Sequence, residues 1–110
     1  MTSVTFHTGG GRLTGFTCQG HSGYADAGTD IVCAAVTSAV RLTECAINDI
    51  MGLSAPVKVQ EDNAVITLRL PNGLNESAEE TCQTLLTALM VHLEQLHEEY
   101  PAFLEVYEQS

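Results

Sequence analysis

The chain has 110 residues, and 14 Asp and Glu against 4 Lys and Arg give it a formal net charge of −10. A surface this acidic repels phosphate backbones, which argues against direct binding to nucleic acid or to an anionic membrane. It would attract a basic protein or peptide, although acidity that only aids solubility is the alternative. The length predicts one domain over residues 1–110, large enough to bury a core without disulfides or metals.

The N-terminal sequence, the length of the apolar runs and the spacing of the cysteines indicate the cellular compartment. We predict neither a signal peptide nor a membrane span, because the N-terminus has no basic region and we find no apolar run of about 20 residues. Four cysteines, Cys18, Cys33, Cys45 and Cys82, are too widely spaced to form a C-x-x-C motif. We therefore expect a cytoplasmic protein with reduced thiols and without a metal or other cofactor.

The N-terminal segment predicts a β-hairpin. Residues 4–8 and 12–18 alternate between apolar and polar side chains, which is the period of a strand. The three glycines at 9–11 predict the turn between them, and a phosphate loop is disfavoured because no Lys-Ser/Thr and helix follow. Gly20 and His21 would then lie at the end of the second strand.

A helix is predicted next. Residues 23–29 have the composition of a loop, and Asp30 or the residue before it can cap the following helix. Apolar side chains recur at helical spacing from Val32 to Ile50, so the helix is predicted to run to Met51. With Asp30 as the cap, Cys33 would be the third helical residue.

The second half repeats this arrangement. Two strands at residues 56–60 and 64–70 are predicted to be joined by a turn at 61–63. A second helix is predicted to begin with a capping box at residues 77–80 and to end at Tyr100, which precedes a proline.

A last alternation at residues 103–108 predicts a final short strand. The order β-β-α-β-β-α-β is typical of an α+β domain with two helices packed on a largely antiparallel sheet. We expect the apolar side chains of the middle pair of strands, Val59 among them, to face inward.

Cys33 is the candidate nucleophile. The thiolate is the reactive form of cysteine, and the unpaired N–H groups and dipole of a helix N-terminus favour a negative charge. An inert, buried thiol is the alternative for Cys33 and the expected state of Cys18, Cys45 and Cys82.

His21 is the candidate base for this thiol. The glycines that flank the segment, Gly20 and Gly23, let backbone and substrate approach closely, although His21 could also be a structural turn residue. Asp30 is either a third catalytic member or only the helix cap. The N–H groups of the first helical turn, including that of Cys33, could form an oxyanion hole.

Two runs in this region resemble the signature of the ribosomal-processing cysteine protease (Prp) family. They are GHSGYA at residues 20–25 and GTDIVCAAV at residues 28–36. Two positions depart from the family pattern. Ser22 replaces the usual alanine, and Thr37 stands where serine is usual.

The resemblance implies roles for individual residues. It places the catalytic histidine on His21 and the catalytic cysteine on Cys33. It also implies supporting or substrate-binding roles for Gly20, Gly28, Asp30 and Thr37.

The resemblance further implies a cytoplasmic, homodimeric endopeptidase. Such an enzyme removes the N-terminal extension of a bacterial large-subunit ribosomal protein during ribosome maturation. Ribosomal proteins are basic, which is consistent with a formal charge of −10 here. The competing interpretation is a non-catalytic, ribosome-associated binding module in which His21 and Cys33 only shape a turn.

Overall fold

A computed structural model describes residues 1–20, 27–60 and 64–110, and it describes residues 27–30 through their backbone alone. The elements follow the predicted order β-β-α-β-β-α-β and confirm the α+β class. They are β1 (Thr2–Gly9), β2 (Arg12–Gln19), α1 (Ala27–Glu44) with a π-helical turn (Cys45–Ile50), β3 (Val57–Gln60), β4 (Val65–Arg69), α2 (Glu76–Glu99) and β5 (Leu104–Gln109).

The five strands form one sheet in the order β3-β4-β2-β1-β5. Every neighbouring pair is antiparallel except β1 with β5, so the sheet is largely antiparallel, as predicted. The hairpin turn has Gly10 and Gly11 at φ values of 62° and 78°. Two consecutive positive φ angles define the type I′ turn that matches the twist of the strands and favours glycine.

One face of the sheet carries the core. Phe6 on β1 pairs with Phe16 on β2, and Phe16 pairs with Leu68 on β4, so the three side chains form a row across the sheet. Both helices pack on this face. They contribute the buried side chains Val32, Val36, Val40, Ile47, Cys82, Leu86, Leu89 and Leu93.

The first helix begins earlier than predicted. It starts at Ala27, so residues 27–29 are helical and Asp30 lies inside the helix. The prediction that Asp30 caps the helix is therefore wrong. An acidic side chain is also favourable inside the first turn of a helix, so Asp30 alone does not mark where the helix begins. The rest of the predicted loop at 23–26 and the predicted turn at 61–63 lie outside the described residues.

A π-helical turn ends this helix and rotates its last residues. The Met51 N–H donates to the Ala46 carbonyl, five residues back, instead of four. The wider turn leaves Ile47 buried but turns Ile50 outward, where it is 79% exposed. The helix does reach Met51 as predicted, but Ile50 does not belong to the buried stripe. The Asn48 side chain holds the following segment through both backbone groups of Ala55.

The second helix has a different cap from the one predicted. Asn75 is the N-cap, and its Oδ1 accepts from the Ala78 N–H at 2.8 Å. The predicted capping box at residues 77–80 is therefore wrong, and the Glu79 carboxylate instead pairs with Arg12. Tyr100 ends the helix, as predicted.

The segment Ile31–Ile50 has the length and composition that a membrane-crossing helix requires, with a mean hydropathy of 1.3. The expectation that no apolar segment reaches this length is therefore wrong. In the structure, Val32, Val36, Val40 and Ile47 of this segment are buried in the core. The core helix of a globular domain passes the same test of length and composition.

Candidate active site

Cys33 lies in the second turn of α1, half-buried. The earlier helix start moves it away from the first turn, where sequence reasoning placed it. Its N–H is within the helical hydrogen-bonding range of residue 29, so the predicted oxyanion hole that includes this N–H is not supported. The dipole effect also falls off beyond the first turn. Stabilisation of a Cys33 thiolate therefore depends on side chains near the sulfur rather than on the helix N-terminus.

The Cys33 side chain lines a cavity of about 350 Å³ between α1 and the β3–β4 side of the sheet. Val36 and Thr37 line it from the same helix, and Val59 and Ile66 line it from the strands. An adjoining cavity of about 410 Å³ shares Val59 and Ile66 with it. We call these two continuous cavities the α1–β3 groove.

Val59 forms an apolar wall of the α1–β3 groove and is 60% exposed. Val59 faces the helix side of the sheet as predicted, since it pairs with Ile66 and both line the cavity beside α1, but it is not buried. β3 is at the edge of the described sheet, pairs with β4 alone, and is not covered by α1 at this position.

Charged side chains line the second part of the groove. Arg41 lines both cavities, and Glu44 and Asp49 line the one farther from Cys33. The groove thus has an apolar wall near the thiol and two carboxylates farther along α1.

Gly20 directly follows β2 and lies beside the start of β1. Its φ is 88°, and a Cβ added there would lie 2.6 Å from the Met1 carbonyl oxygen. Only glycine combines a positive φ with so close an approach of two backbones. His21 follows Gly20 in the chain but lies outside the described residues, so its pairing with Cys33 remains a prediction.

The other predicted site residues have different outcomes. Thr37 lies one turn after Cys33 and lines the same cavity. Gly28 and Asp30 are in the first turn of α1. Their roles remain predictions.

Thr2 is the site residue that sequence reasoning missed. Its side chain is 2% exposed, and its Oγ1 lies 3.9 Å from the Cys33 Sγ, within hydrogen-bonding range for sulfur. The alternation that buries Val4 and Phe6 also places Thr2 on the core face of β1. Extending the predicted strand by two residues would have found it.

The remaining thiols differ from Cys33 in their surroundings. Burial raises the pKa of the Cys18 thiol to about 11, and negative charge on Cys33 raises it further. Desolvation also raises the pKa of Cys45, with a contribution from its hydrogen bond to Asp49. Desolvation and the Glu79 carboxylate raise the pKa of Cys82. These three thiols are therefore poor nucleophiles at neutral pH.

No group of three or more His, Cys, Asp or Glu side chains is placed to hold a metal ion within the described part of the chain. The histidines outside the motif serve elsewhere. His7 bonds to Thr17 at 2.8 Å, His97 bonds to the Leu104 carbonyl, and His92 is exposed on α2.

Comparison with known families gives a match over almost the whole chain. The profile of the family described as "Cysteine protease Prp" matches residues 1–105. The ribosomal processing cysteine protease Prp of Bacillus subtilis is 29% identical over 94 residues, which cover 86% of this chain and 84% of that protein.

Solved structures share the fold. A Streptococcus mutans protein superposes with a TM-score of 0.87 at 27% identity, covering 99% of this chain and 94% of its own. The ribosomal processing protease Prp of Staphylococcus aureus, solved with a substrate peptide, gives a TM-score of 0.84 at 19% identity. The match covers 99% of this chain and 100% of that one. A second structure of that protease, with a covalently linked product peptide, gives 0.76 at 23% identity and the same coverage.

Proposed function

Because this chain belongs to the cysteine protease Prp family, we propose that it removes the N-terminal extension of a large-subunit ribosomal protein, with His21 and Cys33 as its catalytic dyad. Family membership makes the chain a cysteine protease of the ribosomal-processing type. The dyad and the identity of the substrate are the proposed parts.

The proposed reaction is acyl transfer through sulfur. The Cys33 thiolate attacks the scissile carbonyl carbon and forms a tetrahedral intermediate, which collapses to a thioester as the peptide amine leaves. Protonated His21 gives its proton to that amine. The neutral imidazole then takes a proton from water, the resulting hydroxide attacks the thioester, and the thiolate is regenerated. A product peptide linked covalently to the Staphylococcus aureus relative fits this class of mechanism.

Neighbouring contacts support the pairing of His21 with Cys33. His21 directly follows Gly20, whose Cα approaches the carbonyl of Met1. Thr2, which follows Met1 in the chain, contacts the Cys33 sulfur. The start of β1 therefore links the end of β2, from which His21 continues, to the thiol.

The α1–β3 groove is the proposed binding site for the extension. Val59 lies on β3 at the edge of the sheet, where an extended peptide can pair through backbone hydrogen bonds and add a strand. Apolar side chains of the peptide would contact Val59 and Ile66. The carboxylates of Glu44 and Asp49 would face the basic residues that are common in ribosomal proteins.

The observation that carries the proposal is the position of Cys33, whose thiol lines an open groove in a chain that matches a cysteine protease family along residues 1–105. Cys33 is half-buried, whereas Cys18, which lines the same cavity, is only 8% exposed.

The test is incubation of the purified protein with the extended ribosomal protein, read by intact mass. Wild type should release the extension, and Cys33→Ala should not. Cys82→Ala is the control, since Cys82 lies on α2 and lines neither cavity of the groove, and it should cleave like wild type. Cleavage by Cys33→Ala would refute the proposal. Binding without cleavage by wild type would favour the non-catalytic module.

We also propose that the enzyme works in the cytoplasm as a homodimer, and that it does not bind nucleic acid directly. The family resemblance supports the first two points, and the net charge of −10 supports the third. Light scattering on the purified protein tests whether it is a dimer, and the mass of a monomer at micromolar concentration would contradict this proposal.

A further inference from the structure

We propose that Thr2 is a positioning residue whose hydroxyl donates a hydrogen bond to the Cys33 thiolate. The inference rests on the proposed function of Cys33 as the nucleophile. Nothing in the family signature at residues 20–36 includes Thr2, since it comes from a different strand.

The contact is built into the fold. The Thr2 side chain is 2% exposed, and its Oγ1 lies 3.9 Å from Cys33 Sγ. This is the one hydrogen bond of that hydroxyl within the described residues. A buried hydroxyl without a partner would be costly, and the Cys33 sulfur gives this hydroxyl a partner.

The backbone holds Thr2 in place. Its N–H donates to the Phe103 carbonyl at 3.0 Å, and Thr2 pairs with Leu104 in the parallel ladder of β1 and β5. The next residue, Ser3, pairs with Gln19 on β2. The hydroxyl therefore projects from a strand fixed on both sides, and it needs little reorganisation to meet the sulfur.

Ionisation of the thiol fixes the direction of this hydrogen bond. In the neutral form, either the thiol or the hydroxyl can donate. A thiolate has no proton, so the hydroxyl alone can donate to it. Hydrogen bonds to a charged partner are stronger than those between neutral groups. The contact therefore stabilises the ionised form of Cys33 relative to the neutral form.

Two further titratable side chains of the described residues face the same cavity. They are Cys18 on β2 and Arg41 on α1. Burial raises the pKa of the Cys18 thiol to about 11, so it stays neutral below pH 9. Arg41 stays charged over that range. A change in the reactivity of Cys33 between pH 5 and 9 therefore does not come from either group.

The experiment measures the rate of Cys33 alkylation by iodoacetamide from pH 5 to 10, by peptide mass spectrometry. Thr2→Val keeps the shape and strand preference of threonine but removes the hydroxyl. Cys33 in this variant should react about tenfold more slowly at pH 7. The midpoint of its curve of alkylation rate against pH should lie about one pH unit higher, and the rate at high pH should be unchanged. Thr2→Ser keeps the hydroxyl and should retain the wild-type midpoint within about 0.3 units.

Thr5→Val is the matched control. Thr5 lies on the same strand, but the alternation of β1 places it on the opposite face from the core. Its midpoint should equal that of wild type. Repeating the series in a His21→Ala background removes the titration of the proposed base, and the difference between Thr2→Val and its parent should persist. Thr2→Ala replaces Thr2→Val if the valine variant does not fold.

Equal midpoints for wild type and Thr2→Val would overturn the inference and leave Thr2 as a packing residue. So would an upward shift in Thr2→Ser as large as that in Thr2→Val. Alkylation needs no peptide substrate, so this result is independent of the cleavage test. Failure of cleavage would refute the proposed function, whereas failure of the midpoint shift would refute the role of Thr2 alone.

Discussion

The Gln83 side chain on α2 binds both backbone groups of Leu13 on β2. Its Oε1 accepts from the Leu13 N–H at 2.8 Å, and its Nε2 donates to the Leu13 carbonyl at 2.7 Å. The same amide also donates to the Glu79 carboxylate, which pairs with Arg12. This arrangement fastens the second helix to the strand that leads to Gly20.

We expect Gln83→Ala to lower the free energy of unfolding by about 1–3 kcal/mol, because it leaves two buried backbone groups of Leu13 without partners. Urea denaturation followed by circular dichroism measures this loss. Gln95→Ala, on the exposed side of the same helix, should change stability by less than about 0.5 kcal/mol. Equal losses in both variants would mean that the Leu13 contacts contribute nothing.

Replacing the nucleophile with an alcohol should abolish cleavage while preserving the fold. Cys33→Ser keeps the size of the side chain, but a serine hydroxyl does not ionise at neutral pH and would need a stronger base than a dyad supplies. We expect kcat to fall about 10³-fold or more. A burst assay and a melting curve measure rate and fold together. Turnover at the wild-type rate would contradict thiolate chemistry.

Labelling should distinguish Cys33 from the other thiols. At pH 7 only about one Cys18 thiol in 10⁴ is ionised, because burial raises its pKa to about 11. The thiolate fraction of Cys18 rises with pH, so its labelling should become appreciable only above about pH 10. Iodoacetamide at neutral pH should therefore modify Cys33 first.

The same assay tests the coupling of Cys33 to His21. A protonated imidazole stabilises a neighbouring thiolate, so His21→Ala should slow labelling of Cys33 about tenfold at pH 7 and move its midpoint upward. His92→Ala is the matched control, since His92 is exposed on α2. Identical midpoints for His21→Ala and wild type would rule out the dyad.

A charge on the apolar wall of the α1–β3 groove should weaken substrate binding. Val59→Asp places a carboxylate where we expect an apolar peptide side chain, so KM should rise about tenfold. Val91→Asp is the control, because Val91 is also an exposed valine, 45% accessible, but lies on α2. Equal effects in both variants would place the peptide elsewhere.

Gly20 should tolerate no side chain. Gly20→Ala combines a positive φ with a contact of 2.6 Å to the Met1 carbonyl oxygen, so we expect a loss of stability of more than about 2 kcal/mol and a loss of activity. Gly73→Ala isolates the effect of φ, because Gly73 has a φ of 75° and nothing among the described residues within 4 Å of an added Cβ. It should cost about 1–2 kcal/mol. Equal costs would mean that the contact with Met1 is easily relieved.

Much of the fold could be predicted because it depends on local periodicity. The alternation in the strands and the apolar stripe of α2 placed every element in the correct order. The start of α1 could not be predicted from Asp30, because an aspartate is favourable both as a helix cap and inside the first helical turn. The exposure of Ile50 depends on the π-helical turn, which has no recognisable pattern in the sequence.

The site was only partly predictable for a related reason. Cys33 was identified because its residue type and the signature around it are local. The exposure of Val59 follows from the position of β3 at the edge of the sheet, and strand order is a long-range property. Thr2 is 31 positions from Cys33, and only the completed sheet brings the two together.

The parallel pairing of β1 with β5 has a consequence for synthesis. Thr2 is among the first residues to leave the ribosome, whereas Phe103 and Leu104, which hold its backbone, are among the last to be made. Pairing across such a separation forms late, because a long loop must close before the contact stabilises anything. A nascent chain therefore carries Cys33 without its completed surroundings. We therefore expect the contact between Thr2 and Cys33 to be completed only after the whole chain has been released.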